Sequence, residues 1–121
     1  MSTAADLALV RALGNLEGLN DIEIDLEDAD ASVVIDGSPA TGSTALGEVA
    51  GVEVGVWVMT PGSLRDVEAA EVSIVVAGRG SVEFDDGSVL ELVPGVVFRL
   101  TDGQHAIWRV SVALRKLYIV A

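Results

Sequence analysis

The chain has no cysteine and a single histidine, His105. Without thiols it forms no disulfide and runs no thiol chemistry. With one imidazole it cannot assemble the nitrogen- and sulfur-rich donor set that a transition metal prefers. Basic residues are scarce as well. Seven stand against 19 acidic ones, for a formal net charge of −12. Such a surface repels phosphate backbones and anionic lipids, so neither nucleic acid nor a membrane is an expected partner. No apolar run approaches the roughly 20 residues of a membrane-spanning helix. The opening Met-Ser-Thr-Ala-Ala-Asp lacks the basic stretch of a secretory signal, and a cytoplasmic protein is expected. Aromatic residues make up only 4% of the chain, so a core must be built from Val, Leu, Ile and Ala.

What is present favours strands. Half of the 121 residues are hydrophobic, and 13 glycines punctuate valine-rich runs. This length supports one domain with one core. The acidity is uneven: residues 1–30 hold eight acids and one base, Arg11. Residues 3–13 read as a short helix, with Leu7, Val10 and Leu13 on one side and Gly14 as its stop. Asp21 to Glu27 alternates acid and aliphatic strictly, the period of a half-buried strand. Its carboxylate row mimics the start of a calcium loop. Leu26, however, stands where that loop needs glycine, which favours a solvated strand face.

Residues 33–35 read as a short strand and 36–47 as a loop. Strands are then expected at 53–60, 71–77, 81–85, 88–92, 96–100, 105–110 and 115–120. Gly78-Arg79-Gly80 reads as a hairpin turn, and Asp86-Gly87 as another. Short strands at this spacing, without intervening helices, indicate an all-β sandwich or barrel.

The turn glycines give a sharper reading. Glu71 and Gly78 have the separation found between the glutamate and glycine of the first cupin motif, and Gly95 and Gly103 fit glycine slots of the second. Trp108-Arg109-Val110, followed by Leu114-Arg115-Lys116-Leu117-Tyr118, resembles the closing segment of small single-domain cupins. That subgroup is similar to the ethanolamine-utilisation cupins and to ureidoglycine aminohydrolase. The resemblance covers residues 53–121 and implies a double-stranded jelly-roll barrel; residues 1–52 carry no motif of it and read as an extension, with the short N-terminal helix, that packs on the barrel. It also implies a site of three histidines and one glutamate around a metal. Here only Glu71 stands in its slot. The first two histidine slots fall on Arg65 and Val67, or on Leu64 and Asp66, and Ala106 fills the third. His105 lies one residue early, which on a strand points it to the other face. No metal and no cofactor is therefore expected.

Candidate site residues follow from this frame. Glu71 would face inward with Ser73, as an acid or base, as a structural acid paired with an arginine or Lys116, or as a relic of a lost metal site. Asp66 and Glu68 share its neighbourhood. They could join it around Mg²⁺ or Ca²⁺, or form an exposed acidic turn balanced by Arg65, the plainer reading. Trp57 and Trp108 could stack a ligand or fill the barrel. Arg99 could hook an anion if it points inward, and Tyr118 shares a face with Lys116. No Gly-x-Ser-x-Gly elbow and no dinucleotide fingerprint is present. Three functions stay open: a metal-free small-molecule binder, an enzyme resembling ureidoglycine aminohydrolase with Glu71 in the mechanism, and a structural protein. A homodimer is expected, its acidic N-terminal strand covering an edge.

Overall fold

The computed structural model describes residues 18–121. The helix expected at 3–13 lies outside them. The described residues contain one three-residue 3-10 turn, Gly18–Asn20, and nine strands. These are β1 (Glu27–Asp28), β2 (Val34–Gly37), β3 (Ala40–Val49), β4 (Val52–Met59), β5 (Gly62–Val67), β6 (Glu71–Phe84), β7 (Val89–Leu92), β8 (Val97–Leu100) and β9 (His105–Val120). All pairings are antiparallel, and the strands form one sheet curled into a jelly-roll barrel.

The spine of the barrel is β9. Its C-terminal half lies between β4 and the start of β6; its N-terminal half lies between β5 and the end of β6. Burial alternates along it: Ala106, Trp108 and Val110 point inward, then Leu114, Lys116 and Tyr118. Met59, Leu64, Val75, Val82, Leu92, Phe98 and Leu100 meet them from the other strands. One Trp, one Phe and many aliphatics make up this core, as so few aromatics require.

Three expectations are corrected. Residues 36–47 are not a loop. Ala40–Val49 is a ten-residue strand, paired with β4 from Thr41–Met59 to Val49–Val52. Its Gly, Ser and Thr carry turn chemistry locally, but tertiary pairing overrides them. A six-residue strand, β5, occupies the stretch before Glu71 where the sequence pattern suggests a turn. Gly78-Arg79-Gly80 is no hairpin either. It lies within the 14-residue β6, where the register slips between Val75 and Gly80. The slip switches the inward parity from Ser73 and Val75 to Val82, so both halves of a long strand feed the same core. Gly78 (φ +95°) sits so close to the Ala113 backbone that no side chain fits there.

The acidic segment also differs from its reading. Only Glu27–Asp28 pairs as a strand, on the edge of β3. Upstream, Ile22 and Ile24 are half-buried while Asp21, Glu23 and Asp25 are exposed. The alternation therefore holds without a ladder as far as Asp25 and ends at Leu26, which is exposed. Arg115, on the outer face of β9, ties this segment down by donating from Nη1 to the carbonyls of Leu19 and Ile22, each at 2.9 Å.

Candidate functional site

Strand register builds the site. On β4, β9 and β6 the inward residues line up in rows: Trp57–Lys116–Val75, Gly55–Tyr118–Ser73 and Glu53–Val120–Glu71. Lys116 thus sits inside the barrel, only 4% exposed. An ammonium there needs compensation, because desolvating it alone is costly. It is fully compensated. Nζ donates to Glu71 Oε1 in a short ion pair and to Ser73 Oγ at 3.3 Å. Ser73 in turn donates to the same Glu71 oxygen at 3.1 Å. Three rings surround the cation, with centroids at 4.9 Å (Trp108), 5.0 Å (Trp57) and 5.7 Å (Phe98). The two indoles tilt against each other at 5.4 Å.

A cavity of about 280 Å³ opens beside this pair. Trp57, Trp108 and Tyr118 form its aromatic walls; Asp66, Glu68, Glu71 and Lys116 supply its charges. Tyr118 donates from its hydroxyl to Glu53 Oε2 at 2.6 Å. Burial, and then the Glu53 carboxylate, push that hydroxyl up to about 12. Gly55 makes room for the ring: a Cβ there would overlap the Tyr118 hydroxyl.

Glu68 is the acid that sequence reading placed on an exposed turn. It is only 7% exposed. Its backbone is clamped to the loop before β9: its N–H donates to the Gln104 carbonyl at 2.9 Å, and its carbonyl accepts from Gly103 at 2.8 Å. Its Oε1 accepts the Trp108 indole N–H at 2.8 Å. Burial raises its carboxyl to about 7, against the lowering pull of the indole bond; the neighbouring Asp66 charge adds to the rise. Burial of the Asp66 carboxyl raises it as well, though the residue as a whole is exposed.

Of the residues singled out from sequence, Trp57, Glu71, Trp108 and Tyr118 line the cavity. Ser73 lies fully buried behind it, bonded to Glu71 and Lys116. Arg99 is not part of the site. Its neighbours Phe98 and Leu100 are buried, so alternation turns Arg99 out to solvent. His105 is exposed beside the buried Ala106. Asp66 and Glu68, weighed from sequence as ligands of an oxygen-preferring ion or as an exposed turn, line the cavity too; Glu53 was not singled out, and Lys116 only as a possible partner for Glu71.

The residues present do not fit a transition metal. The sole carboxylate in a ligand slot, Glu71, is engaged by a tethered ammonium, and an alanine fills the third histidine slot. Among the described residues no group of three or more His, Cys, Asp or Glu side chains is placed to hold a metal ion. A cation fixed by the chain itself stands beside Glu71 instead.

The fold has known counterparts. The solved structure of a protein of unknown function from Pseudomonas syringae pv. tomato superposes with a TM-score of 0.71 at 24% identity, covering 83% of this chain and 45% of that one. The present chain thus spans less than half of that protein. The Clostridium difficile EutQ protein superposes at 0.63 with 16% identity, covering 84% and 81% of the two chains. Ectoine synthase from P. lautus superposes at 0.58 with 16% identity, covering 88% and 74%. At such identities the likeness speaks for the fold alone. No curated protein matches. A family model described as the EutQ-like cupin domain matches residues 46–118, well over half of the chain. The jelly-roll barrel and this match together place the chain in the EutQ-like cupin family.

Proposed function

We propose that the chain binds a small molecule in the mouth of this barrel without a transition metal. One observation carries the reading: Lys116 engages Glu71, and an aromatic-walled cavity lies open beside the pair. Concave sites with apolar walls and a few converging polar groups are where proteins take small ligands. The test has two arms on the full chain, purified without a metal-affinity column. Elemental analysis is expected to find no stoichiometric manganese, iron or zinc. Titration with fractions of a small-metabolite extract is expected to shift the Trp57 and Trp108 indole NMR signals. A stoichiometric transition metal, or indole signals that no fraction moves, would overturn the proposal.

A second reading rests on Glu68. A buried carboxyl raised to about 7 at a cavity wall is poised to take and return a proton near neutral pH. The chain would then be an enzyme, with Glu68 rather than the ion-paired Glu71 as its acid or base. Turnover abolished by Glu68→Gln but retained on Glu71→Gln would support it.

A further inference from the structure

The cavity's charge balance points to the class of its ligand. Among the described residues its only cationic lining residue is Lys116, and that ammonium is spent on Glu71, Ser73 and three rings. Against it stand the carboxyls of Asp66, Glu68 and Glu71. Glu53 lies one hydrogen bond behind Tyr118. Even with Glu68 protonated, the lining stays anionic. An anion entering here would lose its hydration and meet uncompensated like charge.

Glu68 supplies an independent observation. It is more than nine-tenths buried, and Oε1 is taken by the Trp108 indole. Oε2 receives no hydrogen bond from any described residue. Yet no fully enclosed side-chain oxygen lacks a partner among the described residues, so Oε2 reaches open space. The open space along Glu68 is the cavity. A carboxylate oxygen held rigidly by its other oxygen and by two backbone bonds, with its free side on a cavity, is an acceptor awaiting a donor.

We propose that the cavity takes a small cationic ligand, a primary ammonium compound, with Glu68 Oε2 and Asp66 as counter-charges and Trp57 and Tyr118 as walls. The proposal rests on the binding reading above and names its ligand chemistry. A cation close to Glu68 favours the ionised carboxylate, and so does Lys116; Asp66 and Glu71 oppose ionisation. Binding therefore strengthens as Glu68 ionises. Affinity should be about tenfold higher at pH 8 than at pH 6, as one coupled proton near 7 requires. An alkylammonium stays charged throughout that range.

The test is NMR titration of the full chain with propylammonium, butanol and butyrate, followed at the Trp57 and Trp108 indole signals. Propylammonium is expected to saturate with the stated pH dependence, while butanol and butyrate leave the signals unmoved. Glu68→Gln and Asp66→Asn should each weaken it roughly tenfold or more, the loss of one charge-assisted bond. Glu68→Gln should also abolish the pH dependence. Arg99→Gln, outside the cavity, should change nothing. Saturation by butanol or butyrate without propylammonium would overturn the cationic assignment and leave small-molecule binding standing. Silence from all three would overturn the cationic assignment and count against the binding reading. Propylammonium binding undiminished by both variants would place the cation elsewhere and sink the proposal.

Discussion

The indole of Trp108 holds Glu68 at its N–H edge, 2.8 Å from Oε1, although the two residues lie forty positions apart in the chain. The same ring stands 4.9 Å from the Lys116 ammonium. An aromatic ring is positive at its edge and negative on its faces. One side chain thus stabilises an acid and a cation of the same cavity. Trp108 is 1% exposed and packs into the core against Phe98, so neither partner can pull it away.

Glu68 predicts a pH-dependent stability. Its carboxyl titrates near 4.5 in the unfolded chain and at about 7 in the fold. Between these values the folded state binds the extra proton, so stability falls as pH rises through that window and is flat on either side. A displacement of this size corresponds to about 3 kcal/mol. Glu68→Gln keeps an acceptor for the indole and removes the charge. Urea denaturation at pH 8 is expected to find the variant more stable by about 2–3 kcal/mol, with the difference vanishing at pH 4. A constant difference across pH would mean that Glu68 titrates as an exposed acid.

How much of this was legible in the sequence depended on how local each feature is. The Asp86-Gly87 hairpin and the glycines at Gly95 and Gly103 are local turn chemistry, and they stood out; all three have positive φ. Gly78-Arg79-Gly80 was misread because glycine serves a turn and a bulge equally well. Only the long β9 beside it decides which forms. Strand β3 was hidden by small polar residues whose strand state comes from pairing with β4. The shared face of Lys116 and Tyr118 was legible from alternation. That this face is the inside is set by three strands that meet from distant parts of the chain. Glu68 was lost for the same reason: its burial comes from Gly103, Gln104 and Trp108, none of them near it in sequence.

Lys116 and Glu71 should behave as a coupled pair. Glu71→Gln strands a buried ammonium, and Lys116→Met strands a largely buried carboxylate. Each is expected to cost about 3 kcal/mol, because a buried charge has lost its partner. The double variant removes both charges while keeping similar volumes, and should recover most of the loss. Urea denaturation of the four proteins checks this. Costs that simply add would show that the two groups do not share one site.

Arg115 predicts a local opening. Its guanidinium holds the carbonyls of Leu19 and Ile22 against the outside of the barrel. Arg115→Met keeps apolar contact but loses two charge-assisted bonds. Hydrogen exchange is expected to speed up in residues 21–25 while the amides of Trp57, Ser73 and Lys116 keep their protection. Faster exchange in both regions would mean that this segment belongs to the barrel's cooperative unit.

Gly55 tests the register on which the site rests. It pairs with Tyr118 on one side and Ala45 on the other, so β4 is held by two neighbours and cannot shift away. A methyl at this position would overlap the Tyr118 hydroxyl and crowd the Thr44 carbonyl. The ring must then move, and its bond to Glu53 goes with it. Gly55→Ala is expected to cost about 2–3 kcal/mol in urea denaturation, the scale of overpacking in a dense interior. Tyr118→Phe in the same chain should recover only part, because ring carbon Cζ also stands in the way. A neutral Gly55→Ala would mean that Tyr118 does not lie across Gly55. The rows that set Trp57 beside Lys116 and Glu53 beyond Tyr118 would then have to slip by at least one residue. One such slip turns every side chain of β4 to the opposite face and takes Trp57 out of the cavity.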